Sequence, residues 1–203
     1  MNIKHRNLEK VRKSPQAITQ IAQGTTGGGK TMIRCWDHAV GFYHKEQDVK
    51  SARDYLLRRL SSFNDNKKNN EWRDTLINKF DSYLNSYSEL NFKNIKVNSR
   101  LKMDIQHNNS ITGEIFRIDQ TVDNGYAVTL QNRQDDIWAH EIRFPLIQIH
   151  YSNFFRCPYD LVKVGVYNFV QENHEYISFE EDDLNQAWDE ILTISRKVNK
   201  INI

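Results

Sequence analysis

Near residue 92 the hydrophobic period of this chain changes. Before that point apolar residues recur at helical spacing; after it they fall at alternate positions. The first segment with a helical period is QAITQIAQ, with Ser14 and Pro15 as start signals and Gly24 as a stop signal. Residues 31–45 carry Ile33, Trp36, Val40 and Tyr43 on one face, and residues 48–63 carry Val49, Ala52, Tyr55, Leu56 and Leu60. Residues 70–90 align Trp72, Leu76, Ile77, Phe80, Tyr83, Leu84 and Tyr87. Then IKVNSRLKMDIQ, SITGEIFRID and YAVTLQN alternate as half-buried strands do, with Asp123-Asn124-Gly125 as a hairpin turn. A polar turn RQDD leads to IWAHEIRF, read as one more strand, and Pro145 opens a short helix. VKVGVYNF and HEYISF read as a strand pair, and residues 181–198 as a closing helix. The expected fold class is α/β (α+β), with an N-terminal helical subdomain over 1–69 and a mixed sheet with flanking helices over 70–203.

Composition narrows the function classes. The 203 residues include four Trp, nine Tyr and ten Phe, enough for a large core. No apolar run approaches the ~20 residues of a membrane span, so no membrane partner is expected. The basic start MNIKHRNLEKVRK lacks the apolar stretch of a secretory signal. Cys35 and Cys157 stand alone, which excludes a disulfide framework or a four-cysteine metal site and makes a cytoplasmic setting the expectation. Net charge is +2 but unevenly spread: residues 1–34 are basic and residues 171–195 acidic. Lys10, Arg12, Lys13, Lys30 and Arg34 are therefore candidates for nucleic-acid phosphates; the alternative is that the two charged segments pack on one another.

GTTGGGKT, residues 24–31, fits the phosphate-binding pattern G-x-x-x-x-G-K-[ST]. Such a loop needs a buried strand before it, and the segment before it reads as a glutamine-rich helix. A nucleotide-binding protein using this octet is thus an alternative reading, and a connector between two helices is the primary one.

From residue 70 the element order is long helix, strand meander, helix, strand. With three short stretches, this order resembles the PD-(D/E)xK nucleases of the RecB type, over residues 70–195. GEIFRID resembles their glycine-led strand with the first catalytic Asp. GYAVTLQNRQDDIWAHEIRF resembles the hairpin that carries their acidic residue and lysine. Gln148 to Tyr151, QIHY, resembles their Gln-x-x-Y helix beside the active site. The resemblance implies a restriction-endonuclease-like fold, a DNA or RNA substrate, and carboxylates that hold one or two magnesium ions.

The sequence departs from that pattern where charge is needed. Phe116 stands where the family has Asp, and Thr129, Leu130, Gln131 and Asn132 where it has Asp-x-Lys. A hairpin around RQDD offers a different register, with Asp119 or Asp123 approaching Glu141 and Arg143. In that reading Asp119, Asp123, Glu141, Arg143, Gln148 and Tyr151 form the catalytic set, with Asp123 and Glu141 as magnesium ligands. The other reading of the same residues is turns, a cross-strand charge pair on an exposed face, and helix surface and packing. His140 and His150 are further candidates for a general base. Three functions follow: a divergent magnesium-dependent nuclease; a relative without catalysis that binds nucleic acid, a protein partner or a second copy of itself; and the nucleotide-binding alternative.

Overall fold

A computed structural model describes residues 2–23, 31–106, 109–133 and 137–201. Among the described residues there are seven α-helices and six strands in one mixed sheet. The helices are α1 (Leu8–Lys13), α2 (Ala17–Gln23), α3 (Met32–Glu46), α4 (Val49–Leu60), α5 (Lys67–Glu89), α6 (Arg143–Phe155) and α7 (Glu181–Asn199). The strands are β1 (Asn2–Lys4), β2 (Lys93–Asp104), β3 (Ser110–Gln120), β4 (Tyr126–Asn132), β5 (Val162–Asn168) and β6 (Asn173–Ile177).

The meander β2–β3–β4 is antiparallel throughout. Its first turn lies partly outside the described residues; its second closes through Thr121 N–H to Gly125 O at 3.0 Å, with Asn124 at φ 62°. That left-handed angle is one that Asn tolerates. β5 then joins β4 in parallel, Tyr126 opposite Val162 through Asn132 opposite Asn168. A parallel pair requires a crossover, and α6 supplies it. β6 returns antiparallel to β5. β2 pairs with β3 from Ser110 to Gln120, so the other edge of β3 is shared: β1 lies on 110–112 in parallel and β4 on 117–120.

Both faces of the sheet are covered. On one face Leu101, Ile118, Val128, Val164 and Val166 pack with α1, α2, α6 and α7 through Leu8, Ile18, Ile147 and Ile191. On the other, Phe116, Tyr167 and Phe169 pack with α3, α4 and α5 through Trp36, Leu56, Phe80 and Tyr83. The result is a three-layer arrangement, helices on either side of a mixed sheet. Residues before 70 contribute to both layers, and β1 belongs to the sheet itself.

α5, β2, β3, β4, α6, β5, β6 and α7 follow the order read from the periodicity. Two elements differ. Residues 2–13 form β1 and α1, because Ile3, Leu8 and Val11 are buried between Lys and Arg residues that point outward. Residues 137–142 are not a strand. Trp138 and Ile142 are buried four apart, and Glu141 N–H closes a turn onto Trp138 O at 3.0 Å. The Trp138 indole donates to Glu175 at 2.8 Å, and Glu9 accepts the Ile142 N–H at 2.8 Å. These contacts start α6 at Arg143, with Pro145 in its first turn, where a missing N–H costs nothing.

Most of the glycine-rich octet, 24–30, lies outside the described residues. The segment leading into it is the helix α2, not a strand.

Candidate functional site

The carboxylates expected at the site each bond to other partners. With no strand over 137–142, the hairpin that would set Asp123 beside Glu141 and Arg143 does not form, and that expectation is corrected. Asp123 is an exposed turn residue. It accepts a hydrogen bond from the Thr121 hydroxyl and one from Lys163 Nζ at 3.3 Å, which together hold its carboxyl down to about 2. Glu141 is ion-paired with Arg143, Nε to Oε2 2.7 Å, at the start of α6. The Gln148 side chain is fully buried and joins α6 to the segment between β6 and α7. It accepts from Phe179 N–H at 2.8 Å and donates to Tyr159 O at 3.0 Å and Phe179 O at 3.1 Å. Tyr151 is buried in the same layer as α7. Among the described residues no three His, Cys, Asp or Glu side chains are grouped to hold a metal ion.

Asp119 is different, because the structure surrounds it with a constellation that the sequence reading did not assemble. Arg117 and Asp119 lie two apart on β3, hence on one face, and both are fully buried. Arg117 Nε donates to Asp119 Oδ2 at 2.5 Å. Its remaining donors reach the Tyr83 hydroxyl, His174 Nε2 at 3.1 Å and the Tyr176 hydroxyl at 3.0 Å. The guanidinium carbon sits 4.3 Å from the centre of the Tyr87 ring, a cation–π contact. Asp119 Oδ1 accepts from Asn94 Nδ2 at 3.0 Å and from the Tyr87 hydroxyl at 3.3 Å. Both carboxylate oxygens therefore already have protein donors.

The elements dictate this convergence. Tyr83 and Tyr87 are one turn apart on α5, so their hydroxyls meet the sheet at adjacent points. His44 on α3 supports Tyr83 through Nε2 to the hydroxyl, 2.6 Å. Thr129, Gly165 and Tyr176 are cross-strand neighbours on β4, β5 and β6. A Cβ on Gly165 would meet Glu175 O at 1.9 Å and the Tyr176 ring at 2.6 Å. The bare glycine lets the Tyr176 ring cross β5, where its hydroxyl lies 2.8 Å from Thr129 Oγ1 and takes the Arg117 bond.

A charge in this environment is tolerable only because it is paired and fully hydrogen-bonded. Burial works against the Arg117 cation, but Tyr83, Tyr176 and Asp119 outweigh it, and its pKa is raised well above the usual value. Burial, then the Arg117 charge, depresses His44 and His174 to about 2, so both imidazoles are neutral. Desolvation raises the Tyr83 and Tyr87 phenols, which stay protonated and able to donate. Proton donors and neutral rings thus surround one buried ion pair.

The β4 stretch 129–132, Thr-Leu-Gln-Asn, carries no acid or lysine. Thr129 is bonded within the cluster, and Gln131 Nε2 donates to Asp37 of α3 at 2.9 Å. Arg133 joins the same Asp37 at 2.6 Å. Gln148 and Tyr151 are on α6, in the layer across the sheet from Tyr83 and Tyr87.

Of the expected phosphate contacts, Lys10 and Lys13 are exposed on α1 and Arg34 is exposed on α3. Arg12 is bound to Glu190 of α7 by two bonds, 2.7 and 2.9 Å. There the basic and acidic segments do pack on one another. Lys30 lies outside the described residues.

No protein-family model and no curated protein matches the sequence. A solved chain described as "Crystal structure of SSO0001" is similar at 11% identity, over 97% of this chain and 89% of that one, with a TM-score of 0.32. A score of that size does not establish a shared fold. Among the described residues no helix is long and apolar enough to cross a membrane.

Proposed function

We propose that this chain is a non-catalytic nucleic-acid-binding protein with a nuclease-like sheet, in which Asp119 belongs to a structural clasp and holds no metal. Supporting the nuclease-like reading is the run α5, β2–β3–β4, α6, β5, an antiparallel meander followed by a crossover helix and a parallel strand. The observation that carries the loss of catalysis is Asp119. A magnesium ligand must offer oxygen lone pairs to the ion. Both Asp119 oxygens are engaged by Arg117, Asn94 and Tyr87, and the neighbouring strand supplies Thr129 and Gln131 in place of charged groups. The permanently charged Arg117 guanidinium supplies the counter-charge that a metal ion would otherwise give this carboxylate.

Support for nucleic acid comes from the surface. Lys93, Lys96, Arg100 and Lys102 are exposed along the edge strand β2, against Asp104 alone. Lys50 and Arg58 are likewise exposed on α4, where Arg53 is ion-paired with Asp81. Lysines also protect a sheet edge from pairing with another chain, and a phosphate role makes a further, separable demand: binding that weakens with salt. Fluorescence anisotropy with labelled 20-nucleotide single strands and duplexes, from 25 to 200 mM salt, tests it. The expected result is salt-dependent binding whose log–log slope becomes shallower by about one to two in the Arg100→Glu/Lys102→Glu double variant. Binding that is absent at low salt contradicts the reading.

A further inference from the structure

An open cleft of about 360 Å³ lies where β4 and β5 end. Its walls are Ile33, Trp72, Phe169 and Val170, with Lys79 and Arg133 at the sides. Arg133 directly follows β4 and Phe169 directly follows β5, so the cleft occupies the carboxyl ends of two parallel strands, a common ligand position in open α/β sheets. Ile33 belongs to the first turn of α3, which brings the positive end of that helix to the same cleft. Two large apolar groups remain exposed here, Trp72 at 38% and Val170 at 51%.

The two cations play different parts. Lys79 is largely buried: its Nζ is held by Glu172 at 2.7 Å and Phe169 O at 2.7 Å, 4.8 Å from the centre of the Phe169 ring. It fixes the wall. Arg133 is 43% exposed; Nε and NH2 hold Gln131 and Asp37, and NH1 has no partner among the described residues. Lys68, exposed one turn before Trp72 on α5, offers a second charge on the same side.

We infer that this cleft takes an unpaired nucleobase, stacked on Trp72, with the adjoining phosphate on Arg133. The inference rests on the nucleic-acid reading above and adds the strand form recognised. An aromatic wall beside a part-exposed guanidinium suits a ligand in which a flat π face and an anion lie a few bonds apart, and a nucleotide is such a ligand. An apolar side chain of a protein partner would use the walls and leave Arg133 NH1 without an acceptor. A duplex keeps its bases stacked inward and cannot fill the cleft.

The test is anisotropy with labelled 12-nucleotide single strands and the matching duplex, comparing the wild type with Trp72→Ala, Trp72→Phe and Arg133→Gln. Circular dichroism melts confirm that each variant folds. The expected result is that Trp72→Ala weakens single-strand binding by roughly 5- to 100-fold, that Trp72→Phe restores most of it, and that duplex binding is unchanged. Arg133→Gln should lower the salt slope for single strands by about one. Single-strand binding that ignores Trp72→Ala overturns this inference and leaves the nucleic-acid reading standing. Absence of binding to either form overturns both. Binding of an apolar peptide at Trp72 without nucleic-acid binding assigns the cleft to a protein partner, and also overturns the inference.

Discussion

Arg117 donates to four side chains in the interior. Removing it would leave Asp119 buried without its counter-charge, together with three hydroxyl or imidazole groups that lose a donor. Breaking a buried pair from one side costs about 3–5 kcal/mol. Arg117→Leu should therefore lower stability by that amount in urea denaturation. Replacing both partners, Arg117→Met with Asp119→Leu, should cost less than the single change, because no orphan charge remains. A double variant less stable than Arg117→Leu alone would show that the pair is not coupled as described.

The buried histidines give this interior a pH dependence. Burial and Arg117 hold His44 and His174 at about 2, and burial with Arg143 holds His5 at about 4, all below the ordinary 6.5. Below pH 6.5 the unfolded chain takes up protons that the folded chain refuses. Stability is therefore full above that pH and declines beneath it, by about 1.4 kcal/mol per pH unit for each histidine, with His5 dropping out near its folded value. The urea midpoint should fall between pH 7 and pH 5. A midpoint that rises over that interval contradicts the description.

Among the elements, β5 shows how one residue sets a contact two strands away. Gly165 stands between Thr129 and Tyr176, and a methyl group there would strike Glu175 O. Gly165→Ala should separate β5 from β6, remove the Tyr176 bond to Arg117, and cost on the order of 1–3 kcal/mol. A melting temperature equal to wild type would contradict it. Elements with a long, regular apolar pattern were legible in the sequence: α5 shows seven aligned apolar residues, and the β5–β6 pair is short but dense. IWAHEIRF was misread because its alternation is real but its partners are not strands: Trp138 and Ile142 are fixed by Glu175 and Glu9, far away in sequence. The clasp was missed for a similar reason. Arg117 and Asp119 were two apart on an apolar strand, a visible sign of a buried charge pair, but Tyr83, Tyr87, His174 and Tyr176 join them only through tertiary packing.

On the scale of the whole molecule, the change from helical to sheet-rich sequence falls between α5 and β2, and the helices before it pack on the sheet after it. Trp36, Val40 and Leu56 pack on Phe116 and Tyr167 of the sheet, and β1 and α1 complete its other side. Residues 70–203 expressed alone would expose both apolar surfaces. They should show no cooperative thermal transition, whereas a sharp one would contradict the shared packing. The distribution of charge follows the same logic: Arg12 and Glu190 draw the N-terminal and C-terminal segments together, and exposed cations collect on β2 and α4, Lys102 and Arg53 among them ion-paired with Asp104 and Asp81.

The most direct measurement of the central claim is a cleavage assay on single- and double-stranded DNA and RNA with magnesium or manganese. The account predicts intact substrate throughout, with Asp119 occupied by Arg117, Asn94 and Tyr87. Metal-dependent cleavage that co-elutes with the protein, and disappears in an Asp119→Asn variant that still melts cooperatively, would contradict it.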